Sequence, residues 1–321
     1  MKKLMVTLMA FGTFFQVMAQ TTTTTEATNT SETNASDVMQ SLVQSPWGLR
    51  MDTESFSQRN DQTQKIDYVK TNLYPTLSYS VTTNDVLHFY PQIIMTKSTE
   101  PGNNGYDFLD DFIAFRYDKM KILTEANNGI DFSLSSRYYT LASDEARYRT
   151  GSYGLINPRL YFTKKFNEQF TVTSENRFYF YQTNGTYSKA NSKDYKHIIY
   201  LTPIYQLSSN LSSYVELRQI TEHGRRVYSN DELRIKPGVD YKVSDSLTLG
   251  LSFMNYPVEG RNYKNSVIEN ELSAIYSLNK NVQANFYVTS QVADTETNDK
   301  SLRQRFNDSV EVEVDLLLKA F

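Results

Sequence analysis

From Trp47 onward the chain alternates between apolar and polar residues, and each alternating run ends in a polar stretch before the next begins. Alternation with a period of two is typical of β-strands, because successive side chains of a strand point to opposite faces. Five runs cross a short turn of Ser, Asn, Asp or Lys and then alternate again, which predicts five β-hairpins. The hairpins begin at Pro75, Pro158, Pro203, Pro237 and Leu272, and each proline inside a strand removes one hydrogen bond from the ladder.

The lengths of the connections alternate as well. A sixth turn, residues 125–129, joins the run that ends near Leu123 to the run that begins at Ile130. With an opening strand from Trp47 and a closing strand ending at Phe321, the hairpins predict about 14 strands, with 12 or 16 as alternatives. Long polar connections separate the hairpins at roughly 59–66, 98–107, 142–151, 184–194, 222–230, 258–265 and 292–305. Short turns that alternate with long loops predict an all-β fold, a transmembrane antiparallel up-and-down β-barrel.

The parity of the strands sorts side chains onto two faces. In the run from Glu232, Leu233, Ile235 and Val239 share one face, whereas Arg234 and Lys236 share the other. A face lined with charge cannot be a dry, packed core. The pattern therefore favours a barrel with lipid outside and a wet lumen inside over a β-sandwich.

The first residues have the three parts of a secretory signal. Lys2 and Lys3 precede an apolar stretch at residues 4–17, and Val17-Met18-Ala19 provides a small-residue cleavage site. The sequence thus predicts a signal peptide over residues 1–19 and a mature protein that begins at Gln20.

Two further segments follow the signal. Residues 20–46 are polar and of low complexity, which predicts a flexible periplasmic leader, with residues 37–43 able to form a short plug helix. Residues 47–321 form the predicted barrel. No later segment has the roughly 18 apolar residues of a membrane-spanning helix.

Composition narrows the class of protein. A mean hydropathy of −0.53 together with 24 Tyr and 18 Phe is too polar for helical membrane insertion and too aromatic for disorder. Barrels use such aromatic residues in girdles at both membrane interfaces. The absence of cysteine excludes disulfides and a lipid-anchored cysteine, and a net charge of −3 gives no reason to expect a nucleic-acid partner.

The signal segment, the hairpin repeat and a terminal VEVEVDLLLKAF resemble the porin-type outer-membrane proteins of Gram-negative bacteria, across the whole mature chain. The resemblance implies a location in the outer membrane, contact with its lipid, and recognition of the terminal Phe321 by the barrel-assembly machinery. Phe321 is out of step with the valines of its strand. Either a bulge at residues 316–318 or a terminal aromatic that does not face lipid is therefore expected.

Charged residues of lumen parity fall into two groups along the predicted barrel. The middle strands carry the predicted basic wall: Arg116, Arg137, Arg159, Arg177, Arg218, Arg234 and Lys236. The first and closing strands, which are neighbours in a closed barrel, carry the predicted acidic wall: Asp52, Glu54, Glu269, Glu271, Glu311, Glu313 and Asp315. Opposed walls of this kind would put a transverse field across a pore and set its ion preference. Alternatively, the charges pair with one another, since Glu175 and Glu232 lie within the basic rows.

The sequence predicts a porin-like channel for passive diffusion of small hydrophilic solutes or ions, with no catalysis. A structural or interaction barrel with a closed lumen is the alternative. A barrel hydrolase rests only on His88, His197 and His223, and neither a Gly-x-Ser-x-Gly element nor histidines at metal-ligand spacing support it. No cofactor motif is present.

Three polar residues have lipid-facing parity: Ser174, Asn176 and Asn270. Polar side chains are costly in hydrocarbon, where they find no hydrogen-bond partner. A second copy of the barrel that covers them would remove this cost, so the residues predict a homo-oligomer.

Overall fold

The structure is a computed structural model that describes residues 46–59, 66–98, 106–183, 193–224, 229–259, 268–293, 301 and 309–320. Fourteen strands account for most of these residues. They are β1 (Trp47–Arg59), β2 (Ile66–Ser80), β3 (Asp85–Ser98), β4 (Tyr106–Leu123), β5 (Asp131–Leu141), β6 (Gly154–Lys165), β7 (Phe170–Gln182), β8 (Lys193–Gln206), β9 (Leu211–Gly224), β10 (Ser229–Ser244), β11 (Leu247–Glu259), β12 (Ile268–Asn279), β13 (Val282–Ala293) and β14 (Glu311–Lys319).

The strands form a single closed barrel in which each strand pairs antiparallel with its neighbours in the chain. The first and last strands close the ring through a ladder from Arg50↔Lys319 to Gln58↔Glu311. The ring therefore has no free edge, which is the condition for a sheet to cross a membrane. The predicted fold and the preferred strand count are confirmed.

All six short turns lie where the sequence placed them. Side chains fix several of them: Asn167 Oδ1 accepts hydrogen bonds from the backbone N–H groups of Gln169 and Phe170, at 2.9 and 2.7 Å. The turn after β4 contains the short helix α1 (Glu125–Asn128), which Gly129 ends with a φ of 68°. Left-handed φ values of this kind favour glycine, which has no Cβ.

One long connection is described throughout, residues 142–153 between β5 and β6. It contains the helix α2 (Asp144–Thr150), capped by the hydroxyl of Ser143, and Arg147 of this helix donates to the carbonyl of Leu141 at 3.0 Å. Leu141 has lumen parity and is buried. Most residues of the other long connections, the predicted signal and leader, and Phe321 lie outside the described residues.

The two faces of the sheet differ as the alternation predicts. Outward positions carry exposed apolar side chains, such as Val239, Leu251, Phe253 and Leu272. Ring contacts lie near both ends of the outer face. Trp47 packs against Tyr79 at the turn end, and Tyr195 packs against Phe180 and His223 at the loop end. An apolar belt between aromatic girdles is the outer surface of a transmembrane barrel.

The prolines inside strands interrupt the ladder on one side only. At Pro158 the pairing with β5 continues through Ser136, whereas the pairing with β7 is broken between Ile156 and Arg159. The gap arises because proline has no N–H to donate to one of its two neighbours. The side chain of Asn157 supplies a hydrogen bond at this gap, because its Nδ2 donates to the carbonyl of Phe178 at 2.7 Å.

Of the two alternatives for the C-terminal end, the bulge at residues 316–318 is absent, and the orientation of Phe321 lies outside the described residues. Strand β14 pairs with β13 without a register shift, from Thr289↔Glu311 to Val282↔Leu318. Leu317 therefore keeps the lumen parity of Asp315 and lies opposite Gln283, so an apolar side chain interrupts the polar lining near the end of the chain.

Candidate functional site

A cavity of about 500 Å³ crosses the lumen. Side chains of eight consecutive strands around the ring line it, from β13 through β14 and β1 to β6. Asn285 of β13 and Arg159 of β6 both contact the cavity and are seven strands apart in the ring of 14, which places them on opposite sides of the barrel. Side chains from both sides of the lumen can therefore contact a solute in this cavity.

Residues of both predicted walls line this cavity. Arg116, Arg137 and Arg159 of the basic wall line one side of it. Asp52, Glu54 and Asp315 of the acidic wall line the other. The remaining predicted wall residues do not line this cavity.

Three of the seven cations of the basic wall, Arg116, Arg177 and Arg234, bind a carboxylate on their own strand, two residues away. Arg177 forms two hydrogen bonds of 2.7 Å with Glu175, and Arg234 donates from its Nε to Oε1 of Glu232. Arg159 is less closely held, 3.6 Å from Glu175. Because residues i and i+2 share a face of a strand, these pairs neutralise charge within the wall.

Aromatic faces hold part of the same wall. The guanidinium groups of Arg177 and Arg218 lie 4.5 and 5.3 Å from the ring centroid of Tyr200 on β8. Arg234 lies 4.8 Å from the ring of Tyr256. Stacking of this kind fixes the guanidinium planes and leaves their edges free to donate hydrogen bonds.

Part of the acidic wall is held by neutral groups instead. Glu54 accepts hydrogen bonds from Tyr74 and Asn72, at 3.0 and 3.3 Å, and Glu269 accepts one from Tyr256 at 2.9 Å. Five of the seven carboxylates of the acidic wall form no salt bridge with a described residue: Glu54, Glu269, Glu311, Glu313 and Asp315.

Like charges are adjacent within this wall. Glu54 and Asp315 lie directly opposite each other in the β1–β14 ladder, and Glu313 follows on the same face. Like charges directly opposite on neighbouring strands repel, so this wall carries net negative charge at a cost in stability.

The walls are not opposed everywhere, which corrects the expectation of two separate sides. Lys236 of β10 reaches across β11 to Glu271 of β12, with its Nζ 2.9 and 3.0 Å from the two carboxylate oxygens. Here the basic and acidic walls touch. Strands β2 and β3 separate them on the other side of the ring.

An aromatic cluster narrows the lumen beside the cavity. Tyr90, Ala114 and Tyr139 are buried together, with Phe112 packed edge-on against Tyr139 at a centroid distance of 4.7 Å. The hydroxyls of Tyr90 and Tyr139 are 3.4 Å apart. The cluster gives the cavity an apolar floor between its charged sides.

Two charged residues that contact this region were missed at the level of sequence. Arg50 binds Asp52 at 2.5 Å, and Asp118 accepts hydrogen bonds from Arg116. Both residues share the lumen parity of their partners, so the spacing of opposite charges by two residues is the signal that identifies them. The lumen tyrosines have the same parity but no charge to draw attention to them.

His88 lies apart from the other two histidines, whereas His197 and His223 lie on the neighbouring strands β8 and β9 and both pack against Tyr195. His88 faces the lumen, where its Nε2 is 3.1 Å from Asp118. His197 stacks on Phe178 at 4.3 Å, and His223 stacks against Tyr195. Within the described ranges, no group of three or more His, Cys, Asp or Glu side chains could hold a metal ion.

The outward polar residues find partners on the barrel itself. Asn176 donates to Ser174 at 3.3 Å, and Asn270 accepts from the hydroxyl of Ser290 at 2.5 Å. The two sites lie on β7 and β12, so they do not form one patch. Self-association through these residues stays a prediction. Their hydrogen bonds within the barrel reduce the cost of exposing them to lipid, which was the reason for predicting it.

These features define a transmembrane β-barrel with a charged lumen. In the part of the chain that is described, no helix is long and apolar enough to cross a membrane. No family model matches the sequence, and no curated protein matches it either.

Three of the solved structures that resemble the chain are porins. One KdgM porin is 11% identical, with a TM-score of 0.42, and the match covers 84% of this chain and 98% of that chain. A KdgM porin in complex with disordered oligogalacturonate is 11% identical over the same shares of both chains, with a TM-score of 0.41. A NanC porin is 10% identical, with a TM-score of 0.44, over 84% of this chain and 100% of that chain.

Proposed function

We propose that the protein is an outer-membrane channel through which small hydrophilic solutes or ions diffuse passively, and that it catalyses no reaction. The observation that carries this proposal is the polar cavity of about 500 Å³ that crosses the lumen between the two charged walls. Unpaired carboxylates in the lumen need water, because burying an ion without a partner is prohibitively costly. A hydrated lumen inside an apolar belt is a path for polar solutes.

The charge of the lumen sets the preference of this channel. Five of the seven cations of the basic wall form a salt bridge, whereas five of the seven carboxylates of the acidic wall form none with a described residue. Selectivity follows the net charge that faces the path. The channel therefore prefers cations to anions of the same size.

The swelling of protein-containing liposomes in sugar solutions tests the proposal. Wild-type protein should admit small sugars at rates that fall with sugar size. Asn285→Trp should slow entry, because it fills part of the cavity, whereas Ala284→Trp should not, because Ala284 is the next residue of β13 and faces lipid. Failure of any sugar to enter through folded wild-type protein would contradict the channel.

The route to the membrane is part of the same proposal. Cleavage of the signal after Ala19 and export across the inner membrane precede insertion, and the barrel-assembly machinery recognises Phe321. The mature protein isolated from outer membranes should begin at Gln20, as its intact mass would show. A retained N-terminus would contradict cleavage.

The orientation follows from the connection lengths. The long loops lie outside the cell and the two-residue turn Asp245-Ser246 lies in the periplasm. Ser244→Cys should therefore resist an impermeant thiol reagent on intact cells and react after the cells are broken. Labelling of the cysteine on intact cells would show that the turns lie outside the cell, which would contradict the proposed orientation.

A structural barrel with a closed lumen is the second candidate. The cluster of Tyr90, Ala114 and Tyr139 favours it, because aromatic side chains packed in a lumen narrow the path. Such a barrel would fold and insert without admitting any sugar, which separates the two candidates in the swelling experiment.

A further inference from the structure

We propose that the cavity between the walls is a selectivity site for zwitterionic solutes such as amino acids and short peptides. Their carboxylate faces Arg137 and Arg159, and their ammonium group faces Glu54 and Asp315. This inference rests on the proposed channel and adds the class of solute that the channel favours.

The cationic side of the site keeps donors available. Arg137 donates to the hydroxyl of Ser135 at 3.3 Å and forms no salt bridge with a described carboxylate. Arg159 donates its Nε to the amide oxygen of Asn157 at 2.8 Å and is 3.6 Å from the closest carboxylate. Arg116, by contrast, is engaged by Asp118. A guanidinium held by neutral groups can still bind a carboxylate with two parallel hydrogen bonds.

The anionic side keeps acceptors available. Glu54 and Asp315 face each other across the β1–β14 ladder, and Oδ1 of Asp315 is buried without a hydrogen-bond partner in the described structure. An ammonium group has three donors and can bridge two carboxylates. Its arrival also removes the repulsion between them.

One solute can meet both sides. Glu54 on β1 and Arg137 on β5 are four strands apart in the ring, and both line the same cavity. The volume of about 500 Å³ lies within the range of about 300–1,000 Å³ for small-molecule sites. A zwitterion gains both interactions in one encounter, a neutral solute gains neither, and an anion is repelled by the acidic side.

The carbon chain of such a solute also finds a complementary surface. Tyr90, Phe112 and Tyr139 contribute to the cavity between the charged sides. An apolar floor with opposite charges at its two ends orients a dipolar solute in one direction across the lumen. Selectivity between a zwitterion and its neutral analogue then follows from charge, since the two differ little in size.

The test compares entry of two solutes of similar size into protein-containing liposomes. Glycylglycine is zwitterionic and N-acetylglycinamide is neutral, and neither carries net charge, so no membrane potential builds up. Wild-type protein should admit glycylglycine about threefold faster at low ionic strength, an effect at the lower end of the net contribution of one ordinary hydrogen bond. High salt should reduce this ratio towards one, because the Debye length falls to about 3 Å at 1 M.

Variants localise the effect. Glu54→Gln combined with Arg137→Gln should abolish the preference. Glu232→Gln combined with Arg234→Gln removes the same two charges from a part of the lumen outside the cavity and should preserve it. Equal entry of both solutes through wild-type protein would overturn the inference while leaving the channel intact. Exclusion of both solutes and of small sugars would overturn the channel itself. The salt dependence of the wild-type protein decides the matter if a variant does not fold.

Discussion

The basic and acidic walls of the lumen hold their charges in different ways. On the basic wall, Arg177 binds Glu175 and Arg234 binds Glu232, each pair within one strand. On the acidic wall, Glu54 is held by the neutral groups of Tyr74 and Asn72. A count of charged residues would make the two walls equivalent, but the pairing makes the acidic wall dominate the field.

The difference has a physical consequence for folding as well as for transport. A charge pair in a narrow lumen offsets the loss of hydration of both ions, so the basic wall is stabilised by its own carboxylates. Five of the seven carboxylates of the acidic wall form no salt bridge with a described residue and depend on water for their solvation. The acidic wall is therefore the part of the barrel that most needs an open, wet lumen.

The largest expected effect comes from reversing charge on the basic wall. Changing Arg159, Arg177 and Arg218 to Glu removes three cations and frees Glu175, so the permeability ratio of potassium to chloride should rise strongly. The reversal potential in a potassium chloride gradient measures it. An unchanged reversal potential, with the barrel still folded, would show that these arginines do not contact the ion path.

A smaller shift in the opposite direction is expected from the acidic wall. Neutralising Glu54, Glu313 and Asp315 as Gln, Gln and Asn should reduce the preference for cations, because these carboxylates have no described cation to release. Asp245→Asn is the control, since Asp245 lies in an exposed turn and binds Lys242. An effect of the control as large as that of the triple variant would mean that the selectivity does not arise in the lumen.

The smallest expected effects are on stability, where removing one carboxylate should have opposite consequences on the two walls. Glu175→Gln should destabilise the barrel by about 1–3 kcal/mol, because it breaks two charge-assisted hydrogen bonds to Arg177. Glu313→Gln should leave stability unchanged or raise it by up to about 1 kcal/mol, because it relieves repulsion with Asp315. Denaturant midpoints of the barrel refolded in lipid vesicles measure both, and equal losses would contradict the difference between the walls.

The fold could be read from the sequence because its signals are local. Strand period, connection length and the sign of charge at every second position need no knowledge of distant contacts, and they gave the strand count, the hairpins and the lumen face. The pairing within strands was readable in the same way, since Glu175 and Arg177 are two residues apart.

Other features depend on contacts that the pattern does not contain. The contact between Lys236 and Glu271 crosses an intervening strand, and the cavity joins residues seven strands apart. Such contacts arise because the closed ring brings residues of distant strands together. The pattern also left two alternatives open at the end of β14, a bulge at residues 316–318 or a terminal aromatic that does not face lipid, and the ladder is regular as far as Leu318.

The conductance of single wild-type barrels in a planar bilayer tests the central claim most directly. The account predicts stable, ohmic current steps and, in a potassium chloride gradient, a reversal potential whose sign shows that potassium passes more readily than chloride. Barrels that insert without conducting, or that conduct with a preference for chloride, would contradict an open lumen dominated by its acidic wall.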